Sequence, residues 1–523
     1  MSRRELRSNS ARFASTRLAL AGSVLTAVLG AGHAFATTPC DGLASLSIPN
    51  TTITSAAIVP ANGATPAYCN VLATVAPQTD IQVRMPANWK GRYLHLGGGG
   101  FDGTIATNAP AAYNLNLLAA GYTIGASNGG HRAAQYPGPT FAGTQQLVLG
   151  YAYTAIGDTD TVARALIKAY YGKPANYRYF DGCSNGGKNA SVAAERFGKD
   201  YDGVIGGDGV WGHAYERGGG GDMAGLTAVW ARVVNVTSTV NPATFPVKLT
   251  ALYNAQIAKC DALDGIADGI ISNPGKCHFD PAVLACAKGV DAPSCLTAAE
   301  VAAVKTLQSD LLLNHEVVGA PYGLGNLVSG LSAVAGGGQG LGQGFLAMAY
   351  NNPAFAISSF DLQRDFSYIS NRFDMIDDMT GSLHGIAKYV SEGGKLIVWT
   401  GGEDPLVPAA GSVRFVERLR DVVDDRGREN VRLYTLPGVT HCGGGPGADT
   451  LDLLTPIANW VENADRPKQL IASKLNAAGA VTFTRPLCPF PQWPKYTGGN
   501  GNSASSFACA RPDNDDRRVG WDR

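Results

Sequence analysis

The chain has 523 residues, 45% of them hydrophobic and 16% charged, enough apolar material for a large core and too little charge for a disordered polymer. Its 42 basic and 42 acidic residues cancel, and without a long single-sign run there is no field to recruit nucleic acid or an anionic membrane. A small molecule is the expected partner.

Arg3, Arg4, Arg7, Arg12 and Arg17 precede an apolar stretch from Leu18 to about Ala31, followed by Ala34-Phe35-Ala36. A basic start, a short apolar segment and a small-residue site mark a cleaved export signal, residues 1–36, so the mature chain is expected to begin near Thr37, secreted or periplasmic. As a membrane anchor the stretch falls short of the roughly 20 residues that span a bilayer. No membrane contact is expected after cleavage. The Arg3-Arg4 pair lies far from the apolar stretch, which leaves the export route open.

Short apolar runs ending in glycine-rich turns come next: Arg92–Leu96 before Gly97-Gly98-Gly99-Gly100, Tyr122–Ala126 before Ser127-Asn128-Gly129-Gly130, and Tyr177–Phe180 before Gly182. Each reads as a buried strand feeding a loop. Asp160–Tyr171 and Lys188–Phe197 carry helical spacing. Alternating strands and helices predict a mostly parallel sheet covered on both faces, an α/β fold. Lys395–Thr400 and Val431–Leu436 complete that sheet near the C-terminus, so the main domain comprises residues 37–207 and 395–523. The intervening 208–394 exceed what one connection needs and are expected to form an inserted lid domain. Its glycine clusters, Gly218–Gly221 and Gly336–Gly344, neither follow a strand nor open a helix, and read as flexible loops rather than phosphate cradles.

The segment Tyr179-Phe180-Asp181-Gly182-Cys183-Ser184-Asn185-Gly186-Gly187 runs from strand to helix with glycine two residues before and two after the serine. This is G-x-S-x-G, the nucleophile elbow of an α/β-hydrolase, where the serine sits on a turn too sharp for larger neighbours. Among 66 glycines the bare pattern arises by chance; the flanking strand and helix carry the assignment. A serine needs a base, and the mature chain offers His95, His131, His213, His278, His315, His384 and His441. The order in this fold, serine then acid then histidine, selects His441, in the loop Leu436–Gly443. Cys183 precedes the serine and Cys442 follows the histidine. If Ser184 and His441 are within hydrogen-bond reach, those cysteines come within the roughly 5.5 Å Cα separation a disulfide needs, and one bond tethers both loops.

The acid should follow a strand between the two, and Lys395–Thr400 leads into Gly401-Gly402-Glu403-Asp404-Pro405. Asp404, in a turn fixed by Pro405 and Pro408, is the expected orienting acid, with Glu403 the competitor. The oxyanion needs two backbone N–H donors, one from Asn185 and one from the loop after an earlier strand, where Gly99 and Gly100 are the candidates. That loop lacks the helix, strand and acidic end of a dinucleotide site. All ten cysteines lie beyond the signal, an even number bound for an oxidising compartment, which predicts five disulfides. Zinc is the competing use, but there is no CxxC pair and, apart from the Cys277-His278 neighbours, no histidine at finger-like spacing.

These motifs resemble the tannase and feruloyl esterase family, whose nucleophile and base carry flanking cysteines joined to each other. The resemblance runs from Pro66-Ala67-Tyr68-Cys69 to Arg485-Pro486-Leu487-Cys488-Pro489 and Phe507-Ala508-Cys509. It implies a triad of Ser184, Asp404 and His441 and a Cys183–Cys442 bond. It also implies pairing of Cys260 with Cys277, Cys286 with Cys295 and Cys488 with Cys509, and leaves Cys40 with Cys69. In Cys260-Asp261-Ala262-Leu263-Asp264-Gly265-Ile266-Ala267-Asp268-Gly269-Ile270, three carboxylates among glycines suit a hard cation, or equally a solvated acidic turn. The resemblance implies a structural calcium there, held by side chains of Asp261, Asp264 and Asp268 and backbone oxygens of Ile266 and Ile270, with no organic cofactor.

Two positions depart from the family pattern: Thr400 where histidine often precedes the glycine of the acid turn, and Asn128 where aspartate is frequent. Both loops are expected to border the site. The implied activity is hydrolysis of aromatic-acid esters, feruloyl or other hydroxycinnamoyl or galloyl, through an acyl-enzyme. The alternatives are a half-ester of the mono(2-hydroxyethyl) terephthalate type, an amide substrate on the same scaffold, and a noncatalytic binding protein. The lid should supply an aromatic pocket from among Trp211, Trp230, Phe345, Tyr350 and Phe360.

Overall fold

The apolar runs fold into a nine-stranded sheet. The computed structural model describes residues 37–107, 109, 115–213, 222–323 and 339–513; the expected signal (1–36), Gly218–Gly221 and Gly336–Gly338 lie outside the described residues. In chain order the sheet contains β1 (Thr51–Val59), β2 (Tyr68–Val75), β3 (Thr79–Pro86), β4 (Arg92–Leu96), β5 (Tyr122–Ser127), β6 (Tyr177–Cys183) and β7 (Gly203–Gly207). A separate hairpin, β8 (Leu311–Leu313) and β9 (Glu316–Gly319), follows, and β10 (Lys395–Gly401) and β11 (Val431–Leu436) complete the sheet. The spatial order is β1-β2-β3-β5-β4-β6-β7-β10-β11. The first three strands pair antiparallel, β3 also runs antiparallel to β5, and from β5 to β11 every pair is parallel. Beside β4 the order reverses, since β5 lies on one side and β6 on the other. Such a switch opens a crevice beyond the C-terminal ends of the strands, and the turns after β4 and β6 face it.

Five of the sheet strands and the two helices expected in the main domain lie where the apolar spacing puts them. The helix over Ala155–Tyr171 starts a turn earlier than expected and ends at Gly172, whose φ of 71° makes the left-handed cap. The helix Asn185–Arg196 begins directly after Ser184. Strand β7, Gly203-Val204-Ile205-Gly206-Gly207, is fully buried yet does not read as a strand, because glycine is a poor strand former. Its glycines answer to packing: a Cβ at Gly207 would lie 2.0 Å from the Trp399 ring, and one at Gly206 2.6 Å from Trp211.

Between β7 and β10 the chain leaves the sheet through helices Met223–Thr237, Phe245–Cys260, Ala298–Leu307, Gln339–Tyr350 and Leu362–Ser370. Their apolar faces share one cluster with Phe141, Leu147, Val148 and Tyr151, which precede the first long helix, so the insertion's core is continuous with the body beneath it. Lys248 is buried here against Glu300, 2.7 Å away, and the same carboxylate accepts the Thr297 N–H as part of a capping box. The expectation of a loop through Gly336–Gly344 is corrected from Gln339 onward, where the chain is helical. Gly342 and Gly344 face neighbours that leave no room for a Cβ, 2.7 Å from Ile357 and 2.5 Å from Phe101, while Leu346 and Met348 anchor the helix in the core. The helix Leu383–Ser391 packs against Asn185–Arg196, with the Ser382 N–H donated to Glu195 at 3.1 Å. The chain has therefore rejoined the sheet's helical layer before Gly394.

The cysteines are joined as Cys40–Cys69, Cys183–Cys442, Cys260–Cys277, Cys286–Cys295 and Cys488–Cys509. No described helix is long and apolar enough to cross a membrane.

Candidate active site

Ser184 sits between β6 and its helix at φ 64°, ψ −121°, a conformation that costs about 1–3 kcal/mol and persists only where the surroundings enforce it. The enforcing contacts are backbone to backbone. The Ser184 N–H is donated to Gly207 O at 2.9 Å. A Cβ at Gly182 would meet Gly186 backbone at 2.6 Å, one at Gly186 would meet Gly98 O at 2.9 Å, and one at Gly187 would meet Gly207 O at 2.3 Å.

His441 Nδ1 lies 2.7 Å from Asp404 Oδ2. The Asp404 carboxylate is fully buried, and its other oxygen accepts the N–H groups of Leu406 at 2.8 Å and Val407 at 2.9 Å, so the acid turn holds it rigidly toward the imidazole. Glu403 instead lines a separate cleft with Pro437 and Trp493, where burial raises its carboxyl to about 7. Burial opposes a charge on His441, but the facing Asp404 outweighs it, aided by Asp208, and His441 is raised to about 9. The cysteines flanking Ser184 and His441 are bonded, their Cα atoms 5.9 Å apart.

Ser184 and His441 line one small pocket of about 40 Å³. Its far wall comes from the insertion: Leu226, Trp230, Leu341 and Phe345, with Leu406 and Val407 of the acid turn. Of the aromatic candidates, Trp230 and Phe345 line it. Trp211 stacks on Phe415 in the core, Tyr350 stacks between Phe355 and Tyr368, and Phe360 lines another cleft. Trp230 Nε1 donates to Leu406 O at 2.9 Å, which joins the insertion to the acid turn. Asn185 and Gly100 line the pocket and Gly99 does not. Lys188 also lines it, fully buried, with Nζ donating to Tyr151 O at 2.9 Å and lying 4.3 Å over the Tyr151 ring. Burial pushes the Lys188 ammonium down and the nearby Asp102 carboxyl up, each partly offset by the other's charge.

A family model described as tannase and feruloyl esterase matches residues 64–320 and 340–510. The chain belongs to the tannase and feruloyl esterase family. It is accordingly a carboxylic ester hydrolase. A probable feruloyl esterase of Arthroderma benhamiae is 32% identical to this esterase over 462 residues, 82% of each chain. Mono(2-hydroxyethyl) terephthalate hydrolase of Piscinibacter sakaiensis is 28% identical over 529 residues, 86% of each chain. The crystal structure of feruloyl esterase B from Aspergillus oryzae covers 90% of the esterase and 99% of itself with a TM-score of 0.77 at 22% identity, a likeness of fold.

In the esterase neither Asn128 nor Thr400 itself lines the pocket, although the acid turn that follows Thr400 does, through Leu406 and Val407. Asn128 is turned into the sheet edge, where its side chain bonds Gln78 O and the N–H groups of Asp80 and Gly130. His95, another histidine of the family-matched region, is buried in the sheet against the Tyr201 hydroxyl at 2.7 Å. Asp208 was not among the site residues expected from the sequence. Asp208, the residue after β7, is buried beside Asp404 and His441, the ligand atoms of the three lying within 4.8 Å of one another.

The acidic loop of the esterase fits a cation in part. Asp264 Oδ2 is buried with no hydrogen-bond partner, the kind of oxygen a bound ion satisfies. The Asp261 carboxylate accepts the N–H groups of Asp268, Gly269 and Ile270 at 2.9–3.2 Å. Asp268 is paired with Arg485 at 2.5 Å, and the three carboxylates are not among the described clusters gathered within 4.8 Å. The orphaned oxygen fits a cation beside Asp264 and Asp261; Asp268 meets Arg485 through Oδ2, and its Oδ1 keeps a lone pair beyond the Ile270 N–H it accepts.

Proposed function

We propose that the esterase is exported and hydrolyses esters of aromatic carboxylic acids through an acyl-enzyme on Ser184. His441, oriented through Nδ1 by Asp404, takes the serine proton on Nε2 as Oγ attacks the ester carbonyl. The N–H of Asn185 and one from the Gly99–Gly100 turn hold the oxyanion, Gly100 being the one that lines the pocket. His441 returns the proton to the departing alcohol, then deprotonates the water that releases the acid. The observation that carries the substrate class is the apolar wall of Trp230 and Phe345 facing the nucleophile, suited to a flat aromatic acyl group. The feruloyl esterase relative supports a hydroxycinnamoyl ester, and the terephthalate hydrolase relative supports an aromatic half-ester as a second reading.

In this reading residues 37–207 and 395–523 form the catalytic body and 208–394 the lid, apart from Asp208 and the helix Leu383–Ser391, which pack with the body. Five disulfides and the basic-apolar start at residues 1–36 support an oxidising, extracytoplasmic location. A structural calcium at Asp261, Asp264, Asp268 and the backbone oxygens of Ile266 and Ile270 braces the lid; it takes no part in the acyl transfer. The test is hydrolysis of methyl ferulate, methyl gallate and mono(2-hydroxyethyl) terephthalate by mature protein beside Ser184→Ala. Turnover of one, abolished by the substitution, is the expected result. Labelling of Ser184 by a fluorophosphonate without turnover of any would discard the substrate class and keep the chemistry, while no labelling would discard both.

A further inference from the structure

Asp208 closes β7 at φ 42°, in the left-handed region that aspartate tolerates better than bulky side chains do. From there its buried carboxylate reaches all three catalytic loops. Oδ2 accepts the N–H of Cys442, the neighbour of His441, at 2.7 Å. Oδ1 accepts the N–H of Gly401, where the acid turn begins, also at 2.7 Å. Oδ2 lies 3.8 Å from the sulfur of Cys183, the neighbour of Ser184, and the Ser184 N–H is itself bonded to Gly207 O, one residue before Asp208.

We propose that Asp208 is a second acidic positioning residue, which clasps the nucleophile, acid and base loops together and presents a second carboxylate to His441. The proposal rests on the triad reading above. Two buried carboxylates face one imidazole from opposite loops, Asp404 from the acid turn and Asp208 from the end of β7. Their mutual repulsion favours an extra proton in the cluster. Burial and then the Asp404 charge push Asp208 upward, and its own charge helps hold the proton on His441. The other titratable groups nearby are Tyr322, which faces Asp404, Glu403, turned to its own cleft, and the Lys188–Asp102 pair on the pocket wall, whose charges offset each other. No side-chain hydrogen bond from any of these groups to the Cys442 loop is seen among the described residues; Glu403 reaches it only through its backbone N–H, donated to Val439 O.

The experiment is kcat/KM against pH for the native enzyme and Asp208→Asn, with fluorophosphonate labelling of Ser184 to count folded sites. Removing the charge lowers the pKa of His441, so the acidic limb should move to lower pH by about one unit, a tenfold change in the proton equilibrium. Asparagine offers one acceptor oxygen where two N–H groups need partners, so kcat should fall about tenfold while KM changes less. A folded Asp208→Asn enzyme with an unmoved limb and native kcat overturns the proposal. Should that variant not fold, Asp208→Ser, which also removes the charge, is read the same way: an unmoved limb and native kcat overturn the proposal, and a limb moved to lower pH with reduced kcat supports it. A native enzyme that the probe does not label at Ser184 fails the triad reading instead.

Discussion

In the proposed mechanism the imidazole of His441 meets two demands. Its Nδ1 must stay protonated toward Asp404, 2.7 Å away, while Nε2 must be free to accept the proton of Ser184. The raised pKa of His441 stabilises the imidazolium, so the base is inactive at low pH, and kcat/KM should climb as pH rises through a value above 6.5. Asp404→Asn keeps the shape but presents the wrong partner to Nδ1, and kcat should fall by about 10⁴. The residual activity should carry its acidic limb at lower pH, because the charge that raised the imidazole is gone; a pH-rate profile of the variant checks both. That Ser184 and His441 meet was legible in the sequence because Cys183 and Cys442 sit next to them, a local mark of a distant contact. Asp208 was not, since it acts only where the ends of β6, β7, β10 and β11 converge, and no spacing along the chain records that convergence.

At the scale of an element, the elbow is a place where three stretches of backbone touch without side chains between them. Gly187→Ala puts a methyl 2.3 Å from Gly207 O and 2.8 Å from the Gly209 Cα, and neither is a flexible side chain that can swing away. We expect a loss of about 1–3 kcal/mol, the range for overpacking, measured by denaturant unfolding, together with slower labelling of Ser184. The same crowding explains what the sequence hid. Periodicity identifies strands such as β4 and β11, built from apolar side chains, but β7 and the helix Gln339–Tyr350 carry glycines where Trp399, Trp211, Ile357 and Phe101 press in. There the tertiary neighbour, not the local preference, selects the residue, and the local pattern reads as a loop.

At the scale of the whole molecule, the insertion walls part of the pocket, and its own core runs into that of the body. Anything that braces it therefore stabilises the whole. If the acidic loop holds calcium, the native state gains about 2.7 kcal/mol when free ion exceeds its dissociation constant 100-fold. Chelation by EDTA should then lower the Tm by several degrees, and restored calcium should recover it; a Tm indifferent to both would leave the loop an acidic turn tied by Arg485. The insertion as a feature was legible from the length of chain between strands. Its packing was not, because the residues that meet across it are separated by the whole of that length.

The bond between Cys183 and Cys442 spans 259 residues, and the ring it closes contains β7, the entire insertion, β10 and β11. A protease that cuts once anywhere in that ring makes two polypeptides but frees neither. The half with the serine and the half with the histidine stay one covalent molecule, held at the very point where they must cooperate. Outside the cell such a scar is survivable; in a reducing environment the same scar severs the catalytic residues from one another.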